Sequence, residues 1–217
     1  MSNFNELIKH HFYINLNERT DRRNLCEEEL KKWDLKPNRF PAIKISTNTK
    51  VENRSGIIGC GMSHLKCIET AKENGWDYVA IFEDDIVIPK PTQVKNTVNR
   101  ILESGEAWDI MLLSGNVLQP HKRIEEDFIV VNRSYTTTAY IVKNSFYDTL
   151  IQNLKEGVEG LIRTKERSYS LDAYWWKLMT HHIFLLPLPL TIYQRPDFSN
   201  IENTFVDYKK SILNINK

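Results

Sequence analysis

The sequence predicts an α/β fold in which a mixed central sheet is flanked by helices. Strand and helix patterns alternate through the first half of the chain, as is typical of a parallel sheet. Residues 78–88 (YVAIFEDDIVI) are almost wholly apolar apart from three acids, which is the pattern of a strand buried on both faces. The second half mixes short strands with helices, so we expect it to complete the sheet with strands of both directions.

Polar, glycine and proline residues divide the rest of the chain into further elements. A helix with Thr20 as its N-cap is expected to bury Cys26, Leu30 and Trp33 on one face. Residues 56–61 (GIIGCG) predict a tight turn that leads into the next helix. The other expected elements are strands at residues 12–16, 40–45, 109–113, 128–131 and 137–142, helices at 92–103, from 144 or 145 to 154 and at 171–179, and loops at 117–126 and 157–170.

Length, charge and cysteine content limit the class of protein. The 217 residues are 41% hydrophobic and contain no linker-like stretch, so we expect a single α/β domain over residues 1–217. A net charge of +1 argues against a dedicated nucleic-acid-binding protein. The N-terminus lacks the apolar core of a signal peptide, no run approaches the length of a membrane span, and three cysteines do not form a disulfide pattern. These features predict a cytoplasmic chain, which suits a bacterium or a virus.

Three consecutive acids, Glu83, Asp84 and Asp85, interrupt the apolar strand pattern. Burying adjacent anions without a counter-charge is very costly. Placed where the strand leaves the sheet, which is where open α/β sheets bind ligands, their oxygens are suited to a hard cation such as Mg²⁺ or Mn²⁺. The alternative is a solvated turn, because acidic residues commonly end strands and cap helices.

Six sequence blocks, in order, resemble glycosyltransferase family 25. They are YINLNERTDRR, RFPAI, GIIGCGMSHL, YVAIFEDDI, WDIMLLSG and TAYIV, and the likeness extends over about residues 12–202. The resemblance implies a GT-A fold, a Rossmann-like sheet that binds a nucleotide sugar. It also implies a divalent metal, a UDP-hexose donor and inversion of the anomeric centre. The family includes bacterial lipooligosaccharide galactosyltransferases and collagen hydroxylysine galactosyltransferases.

The acidic triplet is the expected metal site in this interpretation. Glu83 and Asp85 would share one side of an extended strand, and we expect them to bind Mn²⁺ or Mg²⁺, with Asp84 turned towards the ribose or the sugar of the donor. A divalent ion bridging two phosphates stabilises the leaving nucleoside diphosphate.

The remaining donor-binding residues come from several blocks. Arginine suits a diphosphate because its guanidinium group is a planar fork, although an arginine-rich helix start is also common on solvated surfaces. The SH pair at positions 63 and 64 matches the family, and the alternative for it is a helix buried for structural reasons. A soft-metal site of Cys60, His64 and Cys67 is disfavoured, because three ligands on one short helix cannot easily enclose a tetrahedral ion. The expected donor-binding residues are Asn15, Leu16, Arg19, Arg22, Ser63, His64, Asp84, Gln194 and Ser199.

Asp172 is the candidate general base. It matches a position where relatives carry an acid before a late helix, and an inverting transfer needs a base for the proton of the acceptor hydroxyl. The alternative is an aspartate that merely favours the helix dipole. Tyr174, Trp175 and Trp176 are candidates for a wall that stacks on a sugar, or for core residues.

These features favour a UDP-hexose-dependent transferase, with galactose preferred over glucose and a glycan or a hydroxylysine-bearing protein as acceptor. The alternatives are a catalytically silent module that binds sugar or protein on the same scaffold and, less favoured, a nucleotidyltransferase.

Overall fold

The computed structural model describes residues 2–45 and 54–215. The helices are α1 (Phe4–Ile8), α2 (Thr20–Lys31), α3 (Ser55–Glu73), α4 (Pro91–Glu103), α5 (Tyr147–Thr164), α6 (Leu171–Tyr174), α7 (Trp176–His181) and α8 (Lys209–Leu213). The strands are β1 (His11–Asn15), β2 (Arg39–Pro41), β3 (Tyr78–Glu83), β4 (Ile86–Val87), β5 (Ile110–Leu112), β6 (Asn116–Val117), β7 (Arg123–Ile124), β8 (Phe128–Val130), β9 (Ser134–Tyr135), β10 (Ala139–Lys143), β11 (Phe184–Pro187), β12 (Tyr193–Gln194), β13 (Asp197–Ser199) and β14 (Thr204–Val206).

The central sheet is mixed and has eight strands in the order β2-β1-β3-β10-β5-β11-β8-β7. β1 runs parallel to both β2 and β3, whereas β10 is antiparallel to β3 and β5. β11 is parallel to β5 and antiparallel to β8. The predicted α/β fold, with a parallel first half and a mixed second half, is therefore confirmed.

Helices cover both faces of the sheet and bury one apolar cluster on each. One cluster joins Ile68 of α3 and Leu154 of α5 to the sheet residues that face them. The other joins α1, α2 and α4, with Leu30 and Val98 among its fully buried members. This three-layer arrangement explains why the sequence of β3 is a continuous apolar run, since the two faces of the strand lie against different clusters. In the part of the chain that the structure describes, no helix has both the length and the apolar character that crossing a bilayer requires.

The glycines at residues 56–61 lie inside α3, so the predicted turn is wrong. Their role is close packing rather than chain reversal. A Cβ atom at Gly59 would lie 2.3 Å from the carbonyl oxygen of Ile43, and one at Gly61 would lie 3.2 Å from Val158 of α5. The helix therefore tolerates its glycines because the neighbouring segments need the space.

We expect Gly59→Ala to destabilise the protein by about 1–3 kcal/mol, because the added methyl group meets backbone that cannot rotate away. Gly56→Ala in the same helix is the matched control, since its Cβ meets the side chain of Ile201 at 3.4 Å and alanine favours helix by up to about 1 kcal/mol. Urea unfolding of both variants measures the difference. Equal stability of the two variants would contradict the proposed contact.

Other boundaries differ from the sequence expectation for identifiable reasons. Thr20 is the first residue of α2, and the N-cap position is occupied by Arg19, whose side chain makes no capping hydrogen bond, so Thr20 is not the N-cap. α5 extends to Thr164, through much of the predicted loop at 157–170, because its apolar face continues to Leu161 and Gly160 accommodates the ring of Tyr169. The predicted helix at 171–179 is divided at Trp175 into α6 and α7.

The topology gathers several chain segments at one edge of the sheet. The parallel strands β1 and β3 end there at Asn15 and Glu83. Since β10 is antiparallel to β3, the residues that precede β10 reach the same edge, and the backbone N–H of Glu83 donates to the carbonyl of Thr138 at 2.8 Å. β12 pairs with β4 and brings Gln194 opposite Ile86.

Candidate functional site

A cleft of about 590 Å³ opens at this edge of the sheet. It is lined by residues of the early strands, of α2 and α3, of the segment before β10, of α6 and of the β13–β14 hairpin. Every residue assigned from the sequence to donor binding, to the metal or to catalysis lines this cleft except Asn15, which contacts a lining residue; these are Leu16, Arg19, Arg22, Ser63, His64, Glu83, Asp84, Asp85, Asp172, Gln194 and Ser199. The three aromatic residues considered for a stacking wall do not line it: Trp175 is a fully buried core residue, and Tyr174 and Trp176 are partly buried outside the cleft.

Arg22 is the counter-charge of two of the three consecutive acids. Its Nη1 atom donates to Asp84 Oδ1 at 3.0 Å and to Asp85 Oδ2 at 3.2 Å, and its Nε atom donates to Asp197 at 2.8 Å. β3 ends at Glu83 and the chain turns at Asp84 and Asp85. The expectation that Glu83 and Asp85 share one side of an extended strand is therefore wrong, because the two aspartates point together at the guanidinium group.

Asp85 keeps one carboxylate oxygen without a partner. Its Oδ1 atom is out of contact with solvent and accepts no hydrogen bond from the described residues. Burial and the neighbouring charge of Glu83 raise the pKa of Asp85 to about 8. Burial also raises the pKa of Asp84, against the opposing effect of Arg22. Ionisation of Asp85 is therefore unfavourable near neutral pH, even with Arg22 beside it.

Glu83 faces the interior of the site rather than Arg22. Its Oε1 accepts from the hydroxyl of Thr137 at 2.5 Å and its Oε2 accepts from Nε2 of Gln194 at 2.9 Å, while Nε2 of His64 lies 3.6 Å from Oε1. Burial acts to raise the pKa of Glu83, but His64, Thr137 and Gln194 outweigh it and hold the pKa of that carboxyl below its usual range. Glu83 thus connects α3, the start of β10 and β12.

His64 is fully buried between Glu83 and a tyrosine. Its Nδ1 atom lies 2.8 Å from the hydroxyl of Tyr140, and its Nε2 atom makes no hydrogen bond to the described residues. Potential ligand atoms of Cys60, His64 and Glu83 lie within 4.8 Å of one another. Cys67, by contrast, is buried in the apolar cluster of the sheet face, so Glu83 takes the third position that the sequence grouping gave to Cys67.

Asn15 holds Asp84 in place. Its Nδ2 atom donates to Asp84 Oδ2 at 2.7 Å, and its Oδ1 atom accepts from Nε of Arg39 at 3.0 Å. Both ends of the amide are therefore engaged within the protein, and Arg39 was not identified from the sequence. Leu16, the next residue, lines the cleft.

The β13–β14 hairpin reaches the site through Arg19. The Arg19 guanidinium group contacts Asp197 at 2.5 Å and Asp21 at 2.8 Å, and donates to Oδ1 of Asn200 at 2.9 Å. Ser199 accepts from the backbone N–H of Glu202 at 3.1 Å, a turn contact within the hairpin. Asp197 binds both predicted arginines, but it was not identified from the sequence, where it stands as a single acid between Pro196 and Phe198.

Ser63 is buried in α3 and its hydroxyl is used within the protein. It donates to the carbonyl of Gly59 at 2.7 Å and accepts from the backbone N–H of Ile43 at 2.8 Å. These bonds fasten the segment after β2 to the cleft wall.

Asp172 lines the same cleft from the first turn of α6. Its Oδ1 atom accepts from the hydroxyl of Ser170 at 3.0 Å and its Oδ2 atom from the backbone N–H of Thr136 at 3.2 Å. Burial raises the pKa of Asp172, and the charge of Glu83 adds to the effect. A carboxyl group with a raised pKa is better suited to accept a proton near neutral pH. The run of three threonines before β10 was the available signal for Thr136 and Thr137.

Comparisons with known proteins add to this geometry. A family model described as "Glycosyltransferase family 25 (LPS biosynthesis protein)" matches residues 8–162. A Haemophilus influenzae protein named "Putative glycosyltransferase" is 38% identical over 63 residues, which are 29% of this chain and only 20% of that relative.

Two solved structures match the chain over most of its length. The crystal structure of A197 from STIV has a TM-score of 0.50 at 13% identity, over 90% of this chain and 91% of that chain. A glycosyltransferase involved in glycosylation of the major capsid of PBCV-1 has a TM-score of 0.45 at 7% identity, over 82% of this chain and 80% of that chain.

Proposed function

Because the chain belongs to glycosyltransferase family 25, we propose that it transfers a hexose, galactose in preference to glucose, from a UDP-sugar to a hydroxyl group of an acceptor. The transfer depends on a divalent cation and inverts the anomeric centre. The observation that carries the proposal is that acids suited to a cation and a separate, half-buried acid, Asp172, line the same cleft.

The residues present fit a hard divalent cation. Asp85 has an unpartnered carboxylate oxygen, and oxygen ligands are those that Mn²⁺ and Mg²⁺ prefer. Asp85 would hold the ion directly, and Glu83 would assist through water, since both of its oxygens already accept hydrogen bonds. When bound, the ion supplies Lewis-acid stabilisation of the diphosphate leaving group.

The donor half of the cleft supplies cationic and hydrogen-bonding groups. Arg19 and Arg22 bring two guanidinium groups to the wall, where they bind the diphosphate. Leu16 packs against the uracil base. Asp84, held by Asn15, accepts hydrogen bonds from the ribose or the hexose. This wall also includes Ser63, His64, Gln194 and Ser199, which mostly fix other residues in place.

Asp172 acts as the general base on the acceptor side. Its carboxylate takes the proton of the acceptor hydroxyl while that oxygen attacks the anomeric carbon. The hydrogen bonds from Ser170 and Thr136 fix the orientation of the carboxylate before the acceptor arrives.

Titration calorimetry with UDP tests the donor site. We expect binding in Mn²⁺ that weakens at least about tenfold in EDTA, because a diphosphate gains most of its contact with the acids through the ion. ADP is the control ligand, and UDP-galactose and UDP-glucose compared in the same buffer test the sugar preference.

Three results would contradict the proposal. UDP binding that is absent would indicate a silent module, and UDP binding that is equal in Mn²⁺ and in EDTA would remove the cation from the site. Exchange of labelled pyrophosphate into a nucleoside triphosphate would indicate a nucleotidyltransferase.

A further inference from the structure

An aromatic ring is exposed in the cleft next to the candidate base. Tyr135 is 38% exposed, lines the cleft, and packs edge-on against Trp176 with ring centroids 4.7 Å apart. Trp176 is itself fixed, because its Nε1 atom donates to the carbonyl of Ser134 at 2.9 Å and the guanidinium group of Arg133 lies 5.7 Å from its ring centroid. The Tyr135 ring therefore packs against a fixed neighbour, Trp176, while part of the ring faces the cleft.

The residue after this ring has a strained backbone. Thr136 has a φ of 66°, a conformation that is strained for a β-branched residue and recurs at functional sites. Two hydrogen bonds stabilise this strained backbone, since Asp172 accepts from the N–H of Thr136 and Glu83 accepts from the hydroxyl of Thr137. The Oγ1 atom of Thr136 is out of contact with solvent and has no hydrogen-bond partner among the described residues.

A polar side chain stands beside the ring. In the short β6–β9 ladder Asn116 is directly opposite Tyr135, and Asn116 also lines the cleft. The wall therefore combines a flat ring, a carboxylate and polar groups within one short segment and its neighbours.

This combination matches the chemistry of a pyranose. A pyranose ring has an apolar face of C–H groups that packs on an aromatic side chain, and hydroxyl groups at its rim that need donors and acceptors. A hydroxylysine side chain can place its ammonium group over such a ring, but it has no flat apolar face, and only a pyranose covers the ring with a face of C–H groups. We propose that Tyr135, Thr136 and Asp172 form the acceptor subsite, and that the acceptor is a glycan whose terminal pyranose stacks on Tyr135. The acceptor role of this subsite rests on the proposed function.

Saturation-transfer NMR with simple ligands tests the subsite. The probes are methyl β-D-galactopyranoside and methyl β-D-glucopyranoside, with galactitol and 5-hydroxylysine as comparison ligands without a pyranose ring. We expect transfer to the ring protons of a pyranoside and none to the comparison ligands. Tyr135→Ala should weaken pyranoside binding about five- to tenfold, whereas Tyr135→Phe keeps the aromatic face and should bind within about twofold of the wild type. Ile124→Ala, on β7 and 60% exposed, is the control for loss of an exposed apolar side chain.

The outcomes separate the subsite from the donor site. The inference is overturned if the wild type binds neither pyranoside, if 5-hydroxylysine binds instead, or if Tyr135→Ala binds pyranosides as the wild type does. UDP titration of Tyr135→Ala in Mn²⁺ should match the wild type, and a parallel loss of UDP binding would overturn a role confined to the acceptor. If pyranosides bind through Tyr135 but UDP fails to bind the wild type, the sugar subsite stands and the proposed transferase function fails.

Discussion

Asp85→Asn is expected to make the metal-free protein more stable at pH 8 and to abolish its stabilisation by Mn²⁺. The wild-type carboxyl has a pKa of about 8 in the folded protein, against 3.8 for an unperturbed aspartate. Between these values the folded protein keeps a proton that the unfolded chain releases. The free energy of unfolding therefore falls as the pH rises from about 4 to 8, by an amount on the order of a few kcal/mol.

The free energy of unfolding of Asp85→Asn should not fall in this way between about pH 4 and 8, because asparagine carries no charge to bury. Differential scanning calorimetry in EDTA at pH 8 should show a rise in Tm of roughly 5 °C, and the difference should shrink towards pH 4. Adding Mn²⁺ should raise the Tm of the wild type but not that of the variant. Asp148→Asn, an exposed aspartate that pairs with Lys72, is the control for removing a surface charge. A variant with the Tm of the wild type in EDTA and an undiminished response to Mn²⁺ would exclude Asp85 as the cation ligand.

Asp172→Asn should reduce transfer by about 10²–10⁴-fold while UDP binding in Mn²⁺ stays unchanged. The amide retains an oxygen that can accept from Thr136, so the wall is preserved, but it cannot take a proton. In the wild type, burial raises the pKa of Asp172, and only the deprotonated form is a base. Activity should therefore decline as the pH falls through that raised pKa.

Release of UDP from the donor in the presence of acceptor measures the loss. The control is Asp207→Asn, which changes an exposed aspartate whose carboxylate accepts from the backbone N–H of Lys209. If Asp172→Asn transfers sugar at the wild-type rate, the aspartate serves only the start of α6 and the base lies elsewhere.

The sequence predicted those parts of the site whose signal is local. The β3 segment is recognisable in the sequence as an apolar run because both faces of the strand are buried. The acids at its end are recognisable because they interrupt that run. The turn after Glu83 was not predictable, because it depends on Arg22, which is about sixty positions away in the chain and contacts both aspartates. The partner of Arg22 on the hairpin, Asp197, is still further along the chain.

The error in α3 has a comparable origin. Glycine is a poor helix former, so a glycine-rich stretch favours a turn when only neighbouring residues are considered. The contact between Gly59 and the carbonyl of Ile43 decides the outcome, and no local pattern reveals it. Tyr140 was missed because only tertiary structure brings its hydroxyl group to His64, behind the cleft.

The reversed direction of β10 has a consequence for how such a site can diversify. Parallel β1 and β3 deliver the residues assigned to the donor, whereas the few residues entering β10 deliver the ring and the strained threonine. On the proposed function, changes of length or composition in that entering segment would alter which sugar is accepted while the proposed donor half keeps its geometry. The two substrate preferences can thus evolve separately on one sheet.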